Sequence, residues 1–215
     1  MYTLSFILYD VVCTIAPRMA KSFTQSLRNT GYTGDIVVAT VSTLTLADGI
    51  IDVFKKTDCI MYPVDLSCTS MSTTSSDHRS TTSAIYDVLQ RCQFRGVAGT
   101  GYPIPLIRYY LYIWWATLYD SNAIILLTDF SDVLFQSNPF EYITHIWTHP
   151  KYQLTVFQEA FPNRMLYRNR LNKGFIEECY GSNVVQSIGH NPISSVGTVL
   201  GVKDAVFAYV RTEYI

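Results

Sequence analysis

Two carboxylates, Asp129 and Asp132, follow an apolar run that reads Ile125-Leu126-Leu127-Thr128-Asp129-Phe130-Ser131-Asp132-Val133-Leu134-Phe135. Such a run predicts a buried strand that delivers its acids to the rim of a sheet. Two acids in that position cannot both stay ionised and unpaired without a large desolvation cost. A hard cation removes the conflict: Mg²⁺ or Mn²⁺ takes carboxylate oxygens and completes its shell with water and the oxygens of a diphosphate. The D-x-x-D spacing alone favours a plainer arrangement, in which Asp129 caps a turn and Asp132 is solvated or paired with Arg108.

The elements that would position these acids can be read around them. Thr3 to Tyr9 predicts a first strand and Ala16 to Asn29 a helix with Met19, Phe23 and Leu27 on one face. Gly31-Tyr32-Thr33-Gly34-Asp35 then turns into the β-branched strand Ile36 to Ala39, giving a βαβ opening. A short helix at Leu46 to Phe54 and a strand at Cys59 to Pro63 continue the alternation. An aromatic helix at residues 105 to 119, carrying Arg108, runs into the strand Ala123 to Thr128. Beyond the acids lie a helix at Pro139 to Trp147, a strand at Leu154 to Phe157, an amphipathic stretch at Asn172 to Tyr180 and a last helix at Asp204 to Tyr214. Residues 67 to 83 are mostly Ser and Thr and predict a surface loop, because they hold too little apolar mass to offset chain entropy. A lid over a nucleotide site is the functional alternative for that loop.

At 215 residues the chain suits one α/β domain, residues 1 to 215, and its 48% hydrophobic content with 16 Tyr and 11 Phe suits a large buried sheet. The net charge of -1 offers no footprint for nucleic acid or an anionic membrane surface. No apolar window is long enough for a membrane span and no signal peptide is expected at the start, so the chain reads as soluble. Cys13, Cys59, Cys68, Cys92 and Cys179 are widely spaced without a C-x-x-C pair, which predicts free, structural cysteines rather than a zinc cluster. His78, His145, His149 and His190 show no metal-ligand spacing.

The segment LLTDFSDVLFQSNPF resembles the variant D-x-D region of nucleotide-sugar glycosyltransferases with the GT-A fold, in which an apolar strand runs into D-x-x-D-V-x-F-Q-x-x-P-F. SLRNTGYTGDIVV is similar to that group's first helix and second strand, and NPISSVGTVLG to its I-S-C-S-G-T-x-x-G segment, so the likeness extends over about residues 23 to 212. The resemblance implies a single Rossmann-like GT-A domain, with a mixed, mostly parallel sheet flanked by helices. It also implies transfer of a sugar from a UDP- or GDP-sugar to a carbohydrate or protein hydroxyl, with Mn²⁺ or Mg²⁺ as cofactor. On that pattern Asp132 is the metal ligand, and Asp129 holds the metal shell, the ribose or the donor sugar. Arg108 and Thr128 face the donor together with the small-residue loop Ser195, Gly197 and Thr198. Where the pattern has Cys-Ser before the glycine this chain has Ser195-Val196, so a hydroxyl there is missing or is supplied by Ser195 one place earlier. Glu159, past the strand LTVFQ, would be the general base towards the acceptor.

Two other functions fit parts of the pattern. A catalytically inactive GT-A-like binding or scaffold domain would keep the fold and lose the chemistry. A haloacid dehalogenase-like phosphatase also places a strand before its acids, but with D-x-D spacing, and here that position is Ser131. The family resemblance would put the chain in the Golgi or secretory lumen, with an anchor lying outside this sequence; otherwise it is cytoplasmic.

Overall fold

The computed structural model describes residues 5–7, 16–41, 48–69, 91–95, 101–130, 133–146, 153–159 and 164–214. Asp132, Ser131, Cys13, His78 and His149 fall outside them, as does the predicted Ser/Thr-rich loop from residue 70 onward.

The strands are β1 (Ser5–Ile7), β2 (Ile36–Val41), β3 (Cys59–Val64), β4 (Leu66–Thr69), β5 (Arg91–Phe94), β6 (Tyr102–Pro103), β7 (Ile124–Thr128), β8 (Leu154–Gln158) and β9 (Ser194–Val202). The helices are α1 (Pro17–Asn29), α2 (Ile50–Lys56), α3 (Ile104–Ala116), α4 (Pro139–Ile146), α5 (Arg170–Tyr180), α6 (Ser182–Ile188) and α7 (Lys203–Tyr214). The architecture is mixed α/β. A six-stranded sheet has the order β3-β2-β1-β7-β9-β8, and β4-β5-β6 form a smaller antiparallel sheet. In the large sheet β3, β2, β1 and β7 run parallel, and β9 is antiparallel to both β7 and β8.

Sequence alternation builds the two faces of this sheet. Ile124 and Leu126 of β7, with Ile36 and Val38 of β2, pack against Ala20, Phe23 and Leu27 of α1 and Ile50 and Phe54 of α2. Ile125 and Leu127, with Val37, face Ile107, Leu111 and Trp115 of α3 and Val206 and Val210 of α7. Every residue of β7 is therefore buried, which explains why this strand reads as an unbroken apolar run. The chain winds from β1 out to β3 and later returns to β7 on the other side of β1. The order reverses between β1 and β7, and at such a point the carboxyl ends of the strands open a crevice.

Three expectations need correction. Residues 67 to 69 belong to β4 rather than to a loop; Leu66 is buried, Ser67 is exposed, and the strand is zipped to β5. A short strand needs only one apolar face, so polar composition conceals it. Cysteines are not free throughout: Cys59 and Cys179 are, but Cys92 is fully buried and disulfide-bonded, and the Cα facing it across the β4–β5 ladder is that of Cys68. Long-range register brings these two positions together, and cysteine spacing along the chain does not show it. Beyond Tyr180 the chain turns at Gly181, φ 86°, into α6, for which the sequence pattern predicts no element.

Candidate functional site

Asp129 is the first residue past the end of β7 and stands beside the strand reversal. Its backbone N–H donates to the carbonyl of Gly197 at 2.7 Å, which fixes where its side chain starts. Gly197 lies in an irregularity of β9. Val199 pairs with Val156, but Ser195 pairs with the next residue, Phe157, so residues 196–198 of β9 are set against a single step of β8. Such a bulge re-aims the strand locally. Here it brings the Gly197 Cα against the Asp129 carboxylate, where an added Cβ would overlap Oδ2 and lie 2.9 Å from Cγ. Only glycine fits without something giving way.

Arg108 approaches the same carboxylate from α3. It shares the core-facing stripe of that helix with Leu111, Tyr112 and Trp115, and is itself 4% exposed. Because α3 leads straight into β7, its first turns return to the carboxyl end of the strand, and the Arg108 Nη1 donates to Asp129 Oδ1 at 3.0 Å. The guanidinium also lies 5.1 Å from the Tyr109 ring centre, and its Nη2 donates to the Tyr109 hydroxyl at 3.4 Å. Burial is the largest single influence on Arg108 and works to lower its pKa. The Tyr112 and Tyr109 phenols and the Asp129 carboxylate together outweigh it, so the net shift is upward and the cation persists. A buried charge of this kind is tolerated only when paired.

The remaining predicted residues gather at the same edge. Thr128 is buried and paired in register with Thr198, and its hydroxyl donates to the Asp129 carbonyl at 3.3 Å. The Ser195 hydroxyl accepts from the Gly197 N–H at 3.3 Å, so it supports the bulge from within. Glu159 lies just past β8, at the same end of the sheet, but β9 separates it from β7. Two strand spacings, roughly 10 Å, lie between those strands. Its backbone N–H donates to the Ile193 carbonyl at 2.8 Å, and its carboxylate meets Arg164 at 4.0 Å. Asp132, the predicted metal ligand, lies outside the described residues. Among the described residues no three His, Cys, Asp or Glu side chains cluster as a metal site.

Arg108, Asp129, Gly197, Ser195, Thr128 and Thr198 thus form one continuous group, with Glu159 on its flank. Tyr109 joins it without any sequence signal, because neighbouring helix residues do not normally face each other. The arrangement offers a carboxylate, 30% exposed, whose Oδ1 is held by a buried cation and whose Oδ2 is held against a glycine backbone. A carboxylate at the carboxyl end of a strand could contribute an oxygen to Mg²⁺ or Mn²⁺. Among the described residues no helix is long and apolar enough to cross a membrane. No protein-family model matches this chain, and no curated protein matches it in sequence.

Proposed function

We propose that the chain is a metal-dependent glycosyltransferase of the GT-A type, which moves a sugar from a UDP- or GDP-sugar to a hydroxyl acceptor. The observation that carries this reading is the contact of Asp129 with Arg108 and Gly197 at the strand reversal, three residues before Asp132. Asp132 is assigned to hold Mn²⁺ or Mg²⁺, and Asp129 to orient its shell or the donor. When bound, the metal would neutralise charge on the departing diphosphate. Arg108 acts on the donor through Asp129: it fixes one carboxylate oxygen. Gly197, with no Cβ, lets the Asp129 carboxylate sit against the β9 bulge, which fixes where the acid meets the donor. Glu159 would face the acceptor, with Arg164 as its partner.

Incubation with a panel of UDP- and GDP-sugars and Mn²⁺, read as release of the free nucleoside diphosphate, tests this reading. Release from one donor, abolished in Asp132→Ala, is expected. Tight nucleotide binding without release from any donor would instead make the chain a binding domain.

A further inference from the structure

We infer that the surface beside Glu159 binds an oligosaccharide carrying carboxylate or sulfate groups, and so selects an anionic acceptor. The chain as a whole has a net charge of -1, yet between Glu159 and Glu177 it carries Arg164, Arg168, Arg170 and Lys173 and no acid. The stretch from Gly181 to Val202, which includes His190, holds no acid either. Backbone bonds zip these segments together. Ile193 donates to the Arg164 carbonyl at 3.0 Å, Leu166 to Asn191 at 3.1 Å and Tyr167 to Gly189 at 2.9 Å. The ladder continues the β8–β9 pairing past the Glu159 contact, so this surface adjoins the edge of the sheet where Asp129 stands.

Side chains on this surface are arranged for a flat, charged ligand. Tyr167 is 42% exposed, His190 lies against it with ring centres 5.2 Å apart, and the Arg168 guanidinium sits 5.5 Å from the ring centre while its Nε donates to the Tyr167 hydroxyl at 2.9 Å. Arg164 meets Glu159 only at 4.0 Å, and Lys173 meets Glu177 at 3.6 Å. Arg168 and Arg170 form no ion pair with any described carboxylate, and both are exposed. The charges of α5 also oppose its dipole, with Arg170 and Lys173 at its start and Glu177 and Glu178 at its end. Folding does not favour this placement. A planar guanidinium recognises carboxylate or sulfate through paired hydrogen bonds, and the part-exposed Tyr167 ring adds apolar area beside it for a pyranose.

This inference rests on the glycosyltransferase reading only where it calls the bound oligosaccharide an acceptor, and binding is measured without nucleotide. The full chain is titrated calorimetrically with sialyllactose, a sulfated disaccharide and neutral lactose. At least one acidic sugar is expected to bind about tenfold tighter than lactose and to weaken with added salt. The double variant R168A/R170A should lose that preference, while K55A/K56A, an equal change of charge on the exposed face of α2, should keep it. UDP binding should be the same in all three proteins. Preference for sialyllactose alone identifies a carboxylate, and for the sulfated sugar alone a sulfate; either supports the inference. It is overturned if both acidic sugars bind no better than lactose, if R168A/R170A binds them unchanged, or if a short oligonucleotide binds as tightly. Acidic-sugar binding without any nucleotide binding would leave this surface standing and remove the donor site.

Discussion

Gly197→Ala probes how the site holds its acid. The backbone at Gly197 is not in the left-handed region, so alanine adopts it without strain. Taken alone, the change should stabilise the protein by about 0.4–1 kcal/mol, through a less flexible unfolded chain. The new Cβ, however, overlaps Asp129 Oδ2 and stands 2.9 Å from its Cγ. Because β9 is paired on both sides, the carboxylate must turn away, and it then leaves Arg108, whose side chain is 5% exposed. Breaking a buried ion pair costs roughly 3–5 kcal/mol. Asp129 is 30% exposed and Arg108 keeps the Tyr109 hydroxyl, so only part of that is lost. The net expectation is a loss of about 1–3 kcal/mol, or a fall in Tm of roughly 3–10 °C for a chain of this size. Urea unfolding of wild type, Gly197→Ala, Asp129→Ala and the double variant measures it. In the Asp129→Ala background the overlap is gone, and Gly197→Ala should become neutral or stabilising. A Gly197→Ala protein as stable as wild type, or one whose cost persists without Asp129, would refute the packing described.

Two further outcomes follow from ionisable side chains away from the site. The Tyr119 hydroxyl donates to Asp35 Oδ2 at 2.9 Å, and burial first, then this bond, raise its pKa above the ordinary 10.0. The folded state retains a proton that the unfolded chain releases, so this contribution is complete below pH 10.0 and declines as the pH rises past it. Tyr119→Phe should therefore show a shallower loss of stability as the pH rises above about 10; parallel curves there would contradict the assignment. Alkylation of the unreduced protein should label the exposed Cys179 rapidly and Cys59 slowly, since burial pushes the Cys59 thiol up. Cys92 should be labelled only after reduction, which should also lower stability by about 2–5 kcal/mol.

Legibility in the sequence followed the range of the interactions. β7 was readable because every residue in it is buried, and α1 because Phe23 and Leu27 recur at helical spacing. Asp129 and Arg108 both stand out in the sequence, and the structure joins them at 3.0 Å, whereas the plainer reading of the spacing pairs Arg108 with Asp132. What escaped depends on pairing between distant segments: the β4–β5 ladder, the disulfide at Cys92 and the bulge at residues 196–198. A glycine in a β-branched run signals a bulge or a close approach, but does not identify the partner. That the partner is the Asp129 carboxylate comes only from the register of β9 against β7 and β8.

We propose that Asp129 and Asp132 hold a metal-bound nucleoside diphosphate. Calorimetric titration with UDP and GDP, with and without Mn²⁺, on wild type and Asp132→Ala measures this directly. Binding of one nucleotide that requires Mn²⁺ and is lost in Asp132→Ala is expected. Mn²⁺-dependent binding that survives the substitution would contradict the role given to Asp132, and the absence of binding by either nucleotide would contradict the donor site itself.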